Sequence, residues 1–129
     1  GLQADLWAQM LERPREIVAS DELGWAEKLD AVVEHWMRFE VDRHGLYHAV
    51  FHTVATDSDE PLDEARALLG RLLTAGKSAG EFDLSGLDHD VVVEFLLHGY
   101  IGPCFHHTNP DTTVVNVQRL FRRTVGAPS

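Results

Sequence analysis

The chain is poor in cysteine and has no long apolar run. Its single cysteine among 129 residues, Cys104, excludes an internal disulfide and is typical of a reducing cytoplasm. No stretch approaches the roughly 20 apolar residues that a membrane-spanning helix needs, and no signal peptide is visible. We therefore expect a cytoplasmic protein with no membrane partner.

Basic residues are also scarce. There are 11 lysines and arginines against 21 aspartates and glutamates, which gives a net charge of -10. A negative field repels a phosphate backbone, so we expect that these residues do not bind nucleic acid by themselves. The one basic patch, Arg119, Arg122 and Arg123, is typical of a solvated face that complements the dipole at the end of a helix.

Motifs that carry catalysis are absent from the sequence. There is no Gly-x-Ser-x-Gly turn, no phosphate-binding loop and no dinucleotide-binding glycine pattern. Cys104 stands between Pro103 and Phe105, a setting that favours a small buried apolar side chain over a nucleophile. We therefore expect neither an enzyme nor a bound cofactor.

What the sequence does contain is helical periodicity along nearly its whole length. Apolar residues recur at mixed spacings of three and four, and no alternating strand pattern or internal repeat is visible. Hydrophobic residues at 44% and charged residues at 25% are typical of a globular domain. We predict a single all-α domain over residues 1–129 with about six helices.

Capping signals predict several helix ends. Gly80 is expected to end a long helix as the left-handed residue just beyond it, and Asp88 to cap the helix that follows a short link. Asn109 followed by Pro110 predicts the start of the last helix.

The first half of the chain gives weaker signals. Pro14 is expected to kink the first helical segment or to divide it into two short helices. Ser20 or Asp21 is the expected N-cap of the second helix. A further short helix is predicted over residues 46–54, after a break at Gly45.

Several segments together resemble a known family. A long helix is followed by Gly80, Glu81 and Phe82, and the next helix carries Gly99 and Gly102 late in an apolar run. The sequence of residues 120–127, Leu-Phe-Arg-Arg-Thr-Val-Gly-Ala, and the stretch of residues 21–29 add to this order. In order and spacing, these features resemble the C-terminal ligand-binding and dimerisation domain of tetracycline-repressor (TetR) family transcription regulators.

The resemblance implies a bundle whose last two helices form a four-helix interface in a homodimer. Gly99 and Gly102 would let the helix backbones approach closely across that interface. The alternative is that the glycines only bend a helix of a monomer at Pro103. The residues assigned to the interface are Val92, Leu96, Gly99, Gly102, Val114, Val117, Leu120 and Phe121.

The resemblance also implies an effector cavity between the middle helices. Aromatic side chains would form its walls and histidines would supply polar groups, although aromatic residues at helical spacing are also typical of an ordinary core. The residues assigned to the cavity are Trp36, Phe39, His48, Phe51, His52, Phe95 and His98.

Three of the eight histidines raise a different possibility. His44, His48 and His52 are spaced four residues apart, and Glu40 precedes them by another four. On a continuous helix this face could bind a metal or a protein partner, but Gly45 interrupts it. We expect no metal, and we keep a stand-alone metal-binding or protein-interaction module as the alternative function.

The function that the resemblance implies is effector sensing and dimerisation in a transcription regulator, whether repressor or activator. The effector would be a small hydrophobic or aromatic molecule of unknown identity. DNA would be bound only through an N-terminal helix-turn-helix that these residues do not contain.

Overall fold

A computed structural model describes residues 2–42, 60–106 and 108–128. All regular secondary structure in these residues is α-helical, so the prediction of an all-α fold with about six helices is confirmed for this part of the chain. The helices are α1 (Leu2–Ala19), α2 (Trp25–Asp42), α3 (Glu60–Ser78), α4 (His89–Gly99), α5 (Ile101–Phe105) and α6 (Pro110–Thr124). Only Tyr100 separates α4 from α5, so the two form one bent helix. The helix predicted over residues 46–54 lies outside the described residues.

Helix α2 is the centre of the fold. It contacts α1, α3, α5 and α6. Its buried residues, including Leu29, Val33 and Trp36, form one broad face, and Glu27, Glu34 and Asp42 on the opposite side are exposed. None of the helices in the described ranges combines the length and the apolar character that crossing a bilayer requires.

Helix α1 is continuous, so of the two alternatives predicted at Pro14, a kink or a division into two helices, the division is wrong. Proline has no N–H, and the carbonyl of the residue four positions earlier therefore loses its helical donor. That residue is Met10, and the indole Nε1 of Trp36 donates to its carbonyl oxygen at 2.9 Å. A ring nitrogen of His35 bonds the neighbouring carbonyl of Gln9 at 2.9 Å. The side chains of α2 thus supply donors beside the proline.

The start of α2 is also held by a distant residue. The prediction of an N-cap at Ser20 or Asp21 is wrong, since the helix begins at Trp25. The Glu81 carboxylate accepts hydrogen bonds from the backbone N–H groups of Trp25 at 3.1 Å and Ala26 at 3.3 Å. It satisfies two donors that a helix start leaves unpaired and places negative charge at the positive end of the helix dipole.

The predicted stop at Gly80 is confirmed. Gly80 has a φ of 79°, and its N–H donates to the carbonyl of Lys77 at 3.0 Å. The N–H groups of Glu81 and Phe82 both donate to the carbonyl of Gly76. This pattern is a Schellman motif, in which a left-handed residue lets the chain turn back over the end of the helix. The predicted caps at Asp88 and Asn109 are confirmed as well.

The link between α3 and α4 is joined to the end of α6. The N–H of Asp83 donates to the carbonyl of Val125 at 2.8 Å. Gly126 has a φ of 68°, and a Cβ there would lie 2.7 Å from the carbonyl oxygen of Asp83. Glycine is required at this position by both the backbone conformation and the close approach. Residues 81–83 therefore contact the start of α2, the end of α3 and the end of α6.

We predict that Gly76→Ala destabilises the fold, because the new Cβ would lie 2.2 Å from a ring carbon of the buried Phe82. Overpacking of this kind lowers the free energy of unfolding by about 2 kcal/mol, which urea titration followed by circular dichroism can measure. Gly70→Ala on the same helix is the control, since its Cβ would lie at an ordinary 3.6 Å from the His89 ring. Helix propensity should make that variant slightly more stable. Equal stability of the two variants would contradict the close packing of the Phe82 ring on Gly76.

Candidate functional site

The exposed large apolar side chains of the described residues lie on α4, on the turn before it and on α6. Val91 is 65% exposed, Phe95 61% and Leu120 57%, and Leu87 and Val115 are exposed as well. Leu87, Val91 and Phe95 follow one another at intervals of four, so they lie along one edge of α4 and its entry. We call Val91, Phe95 and Leu120 the apolar strip. Most of these side chains are large enough that exposure to water is unfavourable.

The residues predicted for a dimer interface divide into two groups. Gly99, Gly102 and Leu120 are exposed. The other five are buried inside the protomer and pack in its own core: Val92, Leu96, Val114, Val117 and Phe121. They therefore present no surface to a second chain in this conformation. The surface available to a partner lies one position away on α4, at Val91 and Phe95.

Gly99 at the end of α4 lies near a side chain of α6. A Cβ at Gly99 would lie 3.8 Å from a ring carbon of Phe121, which is an ordinary contact distance. Gly102 has no neighbour within 4 Å of its Cβ position. Both glycines leave room at the surface next to the strip.

The residues predicted for an effector cavity are also divided. Trp36 and Phe39 are buried, whereas Phe95 and His98 lie on the outer side of α4. A ring nitrogen of His98 is 3.4 Å from the Glu94 carboxylate, which in turn pairs with Arg66 of α3. His48, Phe51 and His52 lie outside the described residues. The described structure thus brings Trp36 and Phe39 together on α2 and separates them from Phe95 and His98.

Trp36 has a fixed position in the core. Its ring stacks on that of Tyr100, with 6.0 Å between centroids and an interplanar angle of 27°. Its indole N–H is held by the Met10 carbonyl, as described above. The ring contact and the hydrogen bond together orient the aromatic pair between α2 and the junction of α4 with α5.

Glu40 is the residue that sequence reasoning weighed only as a possible metal ligand. It lies one helical turn after Trp36 and is completely buried, at 0% exposure. Neither of its carboxylate oxygens has a hydrogen-bond partner among the described groups. Buried carboxylates are costly without partners. Lys28 shows the contrast, because its buried ammonium donates to the Val18 carbonyl at 2.9 Å and lies 3.8 Å from the Trp25 ring centroid.

The surroundings of Glu40 change the ionisation of two groups. Burial raises the pKa of Glu40 from 4.5 to about 7. Burial, followed by the nearby charge of Glu40, raises the pKa of the Cys104 thiol to about 12. The thiol lies 3.9 Å from the carbonyl oxygen of Met37, to which it donates. Cys104 therefore stays protonated at neutral pH, and the thiolate that a cysteine nucleophile needs is not formed.

A surface groove of about 410 Å³ runs between α1 and α2 close to this region. Phe39 forms part of its wall, and the remaining walls are mostly charged or polar: Gln9, Glu12, Arg13, Glu16, His35, Arg38 and Asp42. The guanidinium of Arg38 also pairs with Asp111 of α6 at 2.6 Å. Mixed charge and open access make this groove a solvated surface rather than an apolar binding cavity.

Within the described ranges, no group of three histidine, cysteine, aspartate or glutamate side chains is placed to hold a metal ion. The face of His44, His48 and His52 lies outside those ranges. Comparison with family models, with curated proteins and with solved structures gives no match to this chain.

The pKa of Glu40 links stability to pH. The folded chain binds a proton at Glu40 up to about pH 7, whereas the unfolded chain loses it near the ordinary value of 4.5. The stabilising contribution of this difference is therefore fully present below the unfolded value and is lost as the pH rises through the folded value. The whole loss is about 3 kcal/mol.

We predict that Glu40→Gln removes this dependence. As the pH rises from about 5 to about 8, the free energy of unfolding of the variant should increase by about 3 kcal/mol relative to that of the wild type. Urea titration measures this difference. Glu34→Gln is the matched control, because Glu34 lies on the same helix and is exposed. If the stability of wild type and of Glu40→Gln depended on pH in the same way, the raised pKa of Glu40 would be contradicted.

Proposed function

We propose that these residues form the effector-sensing and dimerisation domain of a TetR-like transcription regulator. The observation that supports this function best is the apolar strip, because the large exposed apolar side chains of the described residues belong to α4, the turn before it and α6. These are the helices to which the resemblance assigns dimerisation. A homodimer would cover the strip, whereas a monomer would leave it in water.

The arrangement of the strip suits a twofold interface. An isologous dimer uses the same patch twice, so the exposed side chains of Val91, Phe95 and Leu120 would be enough on each chain. The exposed glycines Gly99 and Gly102 lie beside it and would allow close approach of α4 to its symmetry mate. The net charge of -10 opposes association in general, so the apolar contact has to outweigh this repulsion.

Sensing is assigned to the region around Trp36, Phe39 and Glu40. This region lies where α2 meets α5, and α5 continues from α4, which carries the strip. A small effector bound there would favour one arrangement of these helices over another. In a dimer, that change would alter the separation of two DNA-binding domains preceding α1, which is how such a domain would control DNA binding.

We predict that the chain is a dimer at micromolar concentration and that Phe95→Glu makes it a monomer. The substitution places a charge in the middle of the apolar strip, where a partner would bury it, and it leaves the protomer core untouched. Sedimentation velocity measures both states. Ala8→Glu, at an exposed position of α1, is the control and should remain dimeric. A monomeric wild type, or a dimeric Phe95→Glu variant, would contradict the interface.

We also predict that the chain binds small hydrophobic molecules in a saturable way. Binding to the folded state alone stabilises it by about 2.7 kcal/mol when the ligand is at 100 times its Kd, and thermal denaturation against ligand concentration detects this gain. A series of neutral aromatic alcohols is a suitable first set. If no member of a broad set stabilises the chain, sensing is excluded and a role in dimerisation alone remains.

A further inference from the structure

Glu40 is buried in the described structure without partners that would offset the loss of its hydration. Its carboxyl is completely buried and neither oxygen has a hydrogen-bond partner among the described groups. Protonation alone does not remove the problem, since a neutral carboxyl has an O–H donor that would also lack a partner. A group that brings its own hydrogen-bond donors would satisfy both oxygens at once.

Two donors near Glu40, one on α2 and one on α5, bond to other groups. The indole N–H of Trp36, one turn earlier on the helix, donates to the Met10 carbonyl. The Cys104 thiol donates to the Met37 carbonyl. These two donors are therefore not available to Glu40, and neither of its carboxylate oxygens has a hydrogen-bond partner among the described groups.

We infer that Glu40 binds a positively charged nitrogen, an amine or amidine, on the effector of the proposed sensing domain. This inference rests on the proposed function and specifies the chemical class of its ligand. The cation forms charge-assisted hydrogen bonds with the two oxygens of Glu40. The apolar part of the same molecule packs near the aromatic pair of Trp36 and Tyr100, where ring faces also attract a cation.

Other ligand classes fit these residues less well. An anion would be repelled by Glu40 and by the net charge of -10. A metal ion needs more ligands than are present, because no group of three suitable side chains exists in the described ranges and the Cys104 thiol stays protonated. A neutral apolar molecule would leave both oxygens of Glu40 unpaired.

The test uses the whole chain and probes that share one skeleton. Phenylbutylamine, phenylbutanol and phenylbutyrate present a cation, a neutral group and an anion on the same apolar chain, and benzyl and naphthylmethyl sets repeat the comparison at other sizes. Isothermal titration and thermal denaturation at about pH 8, where Glu40 is largely ionised, give the affinities. We expect at least one amine to bind about tenfold or more tightly than its alcohol, which corresponds to a difference of one strong interaction.

Two variants assign the preference to Glu40. Glu40→Gln should bind the alcohols as before and lose the preference for the amine, since its amide keeps the shape but not the charge. Its fold can be checked by circular dichroism, and its stability at this pH should exceed that of the wild type. Glu34→Gln removes one exposed carboxylate from the same helix and controls for the change in net charge.

The outcomes separate the inference from the proposed function. Equal affinity for amines and alcohols, or a preference that survives in Glu40→Gln, overturns the role of Glu40 while leaving an apolar sensing site. Absence of amine binding in all three sets also overturns it, and the alcohols then decide independently whether any sensing site exists. Loss of the preference in Glu40→Gln alone supports the inference.

Discussion

The central constraint in this fold is that α2 buries one broad face against four other helices. Each polar group that it carries inward must therefore find its partner within the protein. The indole of Trp36 does so by bonding the Met10 carbonyl that Pro14 leaves without a donor. This hydrogen bond gives the Met10 carbonyl a donor in place of the missing proline N–H, and it joins α1 to the ring that stacks on Tyr100. Lys28 obeys the same constraint through the Val18 carbonyl, and only Glu40 departs from it.

The link after α3 has a structural role that explains why its composition is so specific. Gly80 allows the turn, Glu81 reaches the start of α2, and Phe82 packs over Gly76. Three consecutive residues thus join three separate parts of the bundle. A different link of equal length could end α3, but it would leave the first N–H groups of α2 unpaired. The features on which the family resemblance rests are therefore also the ones that assemble the described helices.

Features of this structure that depend on neighbouring residues could be predicted from the sequence, whereas contacts between residues far apart in the chain could not. The stop at Gly80 and the caps at Asp88 and Asn109 depend on residues within one turn, and they were predicted correctly. The start of α2 depends on Glu81, 55 residues beyond Ala26, and no local pattern reveals it. Periodicity likewise identified the apolar residues of α4. It could not tell which of two adjacent stripes faces inward, so Val92 and Leu96 were assigned to a surface where Val91 and Phe95 stand. The burial of Glu40 depends on how the other helices pack on α2, which is a property of the whole bundle.

The hydrogen bond between Asp83 and Val125 has a mechanical consequence. The entry to α4 and the exit from α6 are joined there, while the peptide chain through α5 joins the opposite ends of these helices. Two helices that are connected at both ends cannot shift along each other unless one of the two connections breaks. A displacement of α4 would therefore be transmitted to α6, and the exposed apolar side chains of both helices would move together. A paired protein built this way could change its angle while remaining paired.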